Sequence, residues 1–170
     1  MNWNAITFLQ TPTVIRTFMN LWPPYLGTGI HIQMIASDFR RIEVVMRHHW
    51  YNSNYVGTHF GGSLYAMTDP FYMLMLMNIL GRDYLVWDKG ADISFDKPGR
   101  GTLKAVFVIT DEQLDKIRSQ TDHGEKFFYE ATVLVQDEQG DTVATVKKIV
   151  YIRRKPHKRL NKTDNTLEQT

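Results

Sequence analysis

The 170-residue chain has no cysteine, which excludes disulfides, thiolate metal sites and cysteine nucleophiles. It also lacks a long apolar run. Residues 52–81 hold Asp69 as their only charge, but they include Gly57, His59, Gly61, Gly62 and Pro70. The uninterrupted part after Asp69, Pro70 to Gly81, is 12 residues. A bilayer-spanning helix needs roughly 20. The N-terminus, Met1-Asn2-Trp3-Asn4, has no positive region and no small-residue cleavage site after an apolar run. No membrane span and a cytoplasmic location are therefore expected. Charge of one sign is scarce too. Six basic residues between Arg153 and Lys162 stand against Asp164 and Glu168, a local net of +4. The whole chain is +2, so residues 1–152 carry −2. A nucleic-acid role would rest on that tail alone, and no nucleic-acid partner is expected.

What is present fits one globular domain: 43% hydrophobic and 22% charged residues in a chain long enough to bury a core. Thr11 and Pro12 open a helix over 12–22 that Pro23-Pro24 should stop. Period-two alternation predicts strands at 29–36 and 41–50, with a turn near Ser37-Asp38. One long apolar helix is expected over 61–80, buried on most sides. Strands follow within 84–97 and over 102–110, separated by Pro98-Gly99-Arg100-Gly101. Thr110 with Gln113 predicts a capping box on a short helix ending at Gly124. Residues 126–136 and 142–152 read as a hairpin closed by Asp137 to Asp141. The order gives an α+β fold, an antiparallel sheet around one long central helix. Residues 1–28 form an N-terminal helical extension, 29–153 the main domain and 154–170 a basic, flexible tail.

The chemistry concentrates between Asn54 and Asp69. Gly61-Gly62 opens a helix whose first N–H groups lack intrahelical partners, where negative charge is favoured. Asp69 follows in an otherwise apolar helix, and a buried carboxylate is costly unless it is paired or used. The structural alternatives are a carboxylate that caps another element or pairs with a lysine for Asp69, close helix–sheet packing for the glycines, and a loop turn for Asn54. Adjacent His48 and His49 on a strand point to opposite faces and cannot share a metal. No metal and no redox cofactor are implied.

Asn54, the Gly61-Gly62 pair and Asp69, seven residues after the second glycine, resemble the motif of hotdog-fold acyl-CoA thioesterases, the phenylacetate-degradation type and its relatives. Ile93 to Gly101 is similar to that family's strand-to-turn segment. Two departures are visible. The family has His directly before the glycines, whereas here Phe60 stands there and His59 precedes it. Pro70, directly after the acid, removes one helical hydrogen bond, leaves the Ala66 carbonyl free and should kink the helix beside Asp69. The resemblance implies a curved hotdog sheet, a dimer or tetramer with sheets joined edge to edge, and a site shared between protomers. It implies hydrolysis of an acyl-CoA or acyl-carrier thioester. Asp69 would be base or nucleophile, Gly61 and Gly62 the oxyanion donors, and Asn54 an orienting group. His59, Phe60, Lys97 and Arg100 would contact substrate. Asp88 lies where some relatives offer a polar group; a surface ion pair is its plainer reading. The alternative function is a non-catalytic acyl-CoA or lipid binder. A hydratase would need a histidine beside the acid, and the shift to His59 counts against one.

Overall fold

The structure is a computed structural model that describes residues 11–156. Residues 1–10 and most of the basic tail, 157–170, lie outside the described residues. Six antiparallel strands form one sheet in the order β1-β2-β4-β5-β6-β3. They are β1 (Ile30–Ile35), β2 (Arg41–Arg47), β3 (Tyr84–Phe95), β4 (Thr102–Val108), β5 (Lys126–Gln136) and β6 (Thr142–Arg154). β4 and β5 pair at only two positions, Lys104 with Gln136 and Ala105 with Val135. The sheet opens there. α5 (Asp111–Gln120) connects the two strands in sequence and starts at the expected Thr110/Gln113 capping box.

The central helical segment lies on the inner face. Its Phe71, Tyr72, Met75 and Leu76 pack with Ile32, Val44, Met46, Leu103, Phe107, Val146 and Ile152 in one core. This is the hotdog arrangement. The segment is not one helix: it divides into α3 (Gly61–Ala66) and α4 (Phe71–Leu80). Pro70 has no N–H to donate and disfavours helical backbone in the residue before it. The Ala66 carbonyl is instead reached at 3.5 Å by the Asp69 N–H, one residue short of helical register. Asp69 therefore sits at a full break between two helices, where the sequence pattern suggested one long helix kinked at Pro70.

The N-terminal segment also differs from expectation. α1 (Pro12–Asn20) ends before residue 22, and Pro23-Pro24 starts a second short helix, α2 (Pro23–Leu26), because proline suits the first helical turn. The second strand stops at Arg47, and a single 3₁₀ turn occupies Trp50–Asn52. At the other end, sheet pairing runs through Arg154, with Arg153 bonded to the Gly124 carbonyl and Arg154 paired to Asp122 at 2.6 Å. The last strand thus continues past the point where apolar alternation fades.

The two sheet edges are treated differently. On β1, Asn20 of α1 accepts from the Ile32 N–H (2.7 Å) and donates to the Ile32 carbonyl (3.1 Å), while Arg16 donates to the Gln33 carbonyl (3.0 Å). Side chains of α1 thus take the place of a neighbouring strand. β3 has β6 on one side and no strand on the other among the described residues. No helix among the described residues is long and apolar enough to cross a membrane.

Candidate active site

The break between α3 and α4 turns the Asp69 side chain toward β6. Its Oδ1 accepts a hydrogen bond from Lys148 Nζ at 2.9 Å. Asp69 is 46% exposed and Lys148 0%. The carboxylate is thus half open to solvent rather than buried, as its apolar surroundings in sequence implied. Lys148 follows the inward alternation of Val146, Val150 and Ile152 on β6, so its side chain faces the core. Its cross-strand neighbours are Ala91 on β3 and Ala131 on β5, neither of which offers a polar side chain. A buried ammonium needs partners, and it has a second one in Asp88, whose Oδ1 lies 3.5 Å away. That buried oxygen has no hydrogen bond of its own. Asp88 is therefore paired with the core lysine, not in a surface ion pair.

Electrostatics follow from this packing. Burial raises the Asp88 carboxyl pKa, against the pull of Lys148. Burial alone would lower the Lys148 pKa, but the Asp69 hydrogen bond and the charges of Asp88 and Asp69 outweigh it, leaving a net rise. Two tyrosines complete the surroundings. The Tyr65 ring centroid is 5.4 Å from Lys148 Nζ, and burial followed by the nearby Asp69 raises its hydroxyl pKa. Tyr25 of α2 is held protonated by burial and by the Asp69 charge, and its buried hydroxyl has no hydrogen-bond partner.

The glycine pair lies at the other end of α3. The N–H groups of Gly61 and Gly62 have no acceptor among the described residues. The space where their side chains would stand is taken by phenyl rings. A Cβ on Gly61 would meet Phe95 at 3.1 Å, and one on Gly62 would meet Phe60 at 2.5 Å. Both rings are largely exposed, Phe60 at 57% and Phe95 at 56%. The glycines thus permit close packing and also leave two donors unused.

The remaining expected site residues are committed elsewhere. The Asn54 side chain closes its own loop, accepting from the Val56 and Thr58 N–H groups and donating to Thr58 Oγ1 and the His59 carbonyl. His59 is buried, with Nε2 3.0 Å from the Gly101 carbonyl. Lys97 pairs with Asp137 and Asp141 of the β5–β6 turn, both at 2.7 Å, so its charge is already neutralised. Arg100 donates to the Gly57 carbonyl at 3.1 Å. The structure therefore groups Asp69 with Lys148, Asp88 and Tyr65, and separately groups Asn54, His59, Phe60 and the glycines. A surface hollow of about 590 Å³ over residues 90–92, 130–132 and 147–149 includes neither Asp69 nor the glycines. No cluster of three or more metal-ligating side chains occurs among the described residues. The lysine pairing offered as the structural alternative for Asp69 is present. Sequence reading did not identify the lysine as Lys148, although the alternation of residues 146–152 already placed it on the inward face.

Solved structures share this architecture. A Pseudomonas aeruginosa protein of unknown function, described as a "probable thioesterase", superposes with a TM-score of 0.73 at 16% identity over 85% of this chain and 98% of that one. A Haemophilus influenzae thioesterase gives 0.60 at 12% identity, over 85% of this chain and 91% of that one. The E. coli PaaI protein of the phenylacetic acid degradation operon gives 0.54 at 15%, over 82% and 89%. These likenesses establish the hotdog fold. No curated protein matches the sequence. Residues 11–152 match the family described as Domain of unknown function (DUF4442), and the chain belongs to that family.

Proposed function

We propose that the protein hydrolyses acyl-CoA thioesters, with Asp69 as general base and the Gly61 and Gly62 N–H groups as oxyanion donors. The observation that carries this reading is the half-exposed Asp69 carboxylate, held in a fixed direction at a helix break. Water attacks the thioester carbon and gives its proton to Asp69. The carbonyl oxygen takes up negative charge and accepts from the glycine amides. The carbon–sulfur bond then breaks, the acid is released, and the thiolate leaves with the proton held by Asp69.

Gly61 and Asp69 are eight residues apart. The glycine N–H groups open α3, while Asp69 stands beyond its last residue, Ala66. In this reading the two groups therefore serve different sites within one chain. The open β3 edge supports a second copy pairing there, so that Asp69 of each protomer works with the glycine amides of its partner.

The test is a thioesterase screen over short, aromatic, medium and long acyl-CoAs, with Asp69→Asn as control. Wild-type turnover of at least one class is expected, and the variant should fall about a hundred-fold or more, the scale of losing a positioned base. Binding of acyl-CoA without turnover by the intact protein would favour the binder reading. An active Asp69→Asn would remove Asp69 from the chemistry.

A further inference from the structure

Lys148 is out of place for a residue that serves only the fold. Its side chain is fully buried between Ala91 and Ala131, in line with Val146, Val150 and Ile152. For stability alone an apolar side chain of similar volume would serve as well or better, because burying two charges is costly even when they pair. The groups facing the ammonium come from several elements. Asp69 lies at the α3–α4 break, Tyr65 on α3 and Asp88 on β3, while the Tyr25 hydroxyl of α2 lies within the field of Asp69. Two carboxylates share one cation, and only one of them, Asp69, is half open to solvent.

We infer that Lys148 is a positioning residue: its buried ammonium fixes the Asp69 carboxylate through Oδ1, so that Oδ2 receives the proton of the attacking water, and Asp88 anchors the ammonium from β3. This inference rests on the thioester reading above. An ammonium gripped from two sides cannot swing, so the carboxylate it holds keeps one orientation. Asp88 has the complementary environment: its Oδ1 is buried and without a hydrogen bond. It acts through Lys148 and does not touch substrate.

The test replaces Lys148 with methionine in the full chain. Asp69 can then be solvated and Asp88 can take up a proton, so Lys148→Met should fold with an unchanged or higher Tm. Its kcat should fall about a hundred-fold with KM within about three-fold, the scale of a misplaced reacting group. In the Asp69→Asn background the same substitution should cost nothing further, because Lys148 acts only through Asp69. A lower Tm with kcat retained would overturn the inference and make Lys148 structural. So would additive losses in the double variant. A second measurement needs neither turnover nor the Lys148 variant. In ¹⁵N-lysine NMR, the Lys148 ammonium should titrate at lower pH in Asp69→Asn than in the wild type. An unchanged titration would overturn the pairing, even if Lys148→Met failed to fold. If the wild type hydrolyses no acyl-CoA while the ammonium still responds to Asp69→Asn, the thioester reading fails and the pairing stands.

Discussion

The His59 ring lies against the Gly99–Gly101 turn, 2% exposed, with its centroid 4.7 Å from that of His48. A carbonyl only accepts, so the ring nitrogen facing the Gly101 carbonyl, Nε2, carries the proton. Nδ1 is then a bare acceptor with no partner. Burial pushes the His59 pKa below its usual 6.5, and the neighbouring His48 and His49 push the same way. The folded state thus binds fewer protons than the unfolded chain. Stability must fall as pH drops below about 6.5 toward the folded pKa, with a slope of up to about 1.4 kcal/mol per pH unit. His59→Gln retains a donor for the Gly101 carbonyl but does not titrate. Urea unfolding from pH 7 to 5 should show a flatter acid limb for the variant than for the wild type. Equal slopes would show that another group carries the acid sensitivity. This behaviour makes His59 a loop-core residue, which accords with the Phe60/His59 shift visible in the motif.

At the scale of elements, the interruption at Asp69-Pro70 decides where the carboxylate goes. A continuous helix would carry Asp69 round with its turn; the break lets it face β6. Pro70→Ala restores an N–H that the Ala66 carbonyl can accept, and α3 and α4 can then merge. Helical content by far-UV circular dichroism should hold or rise slightly, while hydrolysis falls about ten-fold or more as Asp69 turns from Lys148. Undiminished activity would show that the break does not aim the acid. The kink at Pro70 was legible in sequence because proline acts locally. So were the six strands and the Thr110/Gln113 cap, which follow from period two and from one side-chain bond. The Lys148 pairing was only half legible. Alternation put the lysine on the inner face, but its partner is 79 residues away, and only the packed fold brings the two together. Asp88 was hidden for a related reason. A bulge between Asp88 and Gly90 changes the alternation of β3, so that Asp88 and Ala91 both face inward. Asn54 fits the motif's spacing, yet spacing does not reveal that four hydrogen bonds already occupy its amide.

At the scale of the molecule, the asymmetry between the two sheet edges bears on assembly. α1 blocks β1 with Asn20 and Arg16, whereas one edge of the twelve-residue β3 has no neighbouring strand among the described residues. An open edge of that length is an association surface. Light scattering should give about twice the 19.9 kDa chain mass, and a mass near the monomer would sink the shared site. A sharper test uses two inactive variants. Asp69→Asn lacks the acid. Gly61→Pro lacks one oxyanion donor, yet proline suits the first position of α3 and the extended Phe60 before it tolerates a following proline. The exposed Phe95 ring has room to move aside for the new side chain. Each variant alone should be nearly inactive. When the two are unfolded together and refolded as a mixture, half of the dimers are hybrids. In a hybrid one site carries both defects, while the other joins an intact Asp69 to an intact Gly61. Random pairing therefore predicts recovery to about a quarter of wild-type activity. A site built within one chain would give no recovery at all, because every chain in the mixture carries a defect. Recovery near a quarter, lost again when the two are kept as separate homodimers, is the outcome that places Asp69 and the glycine amides on opposite protomers.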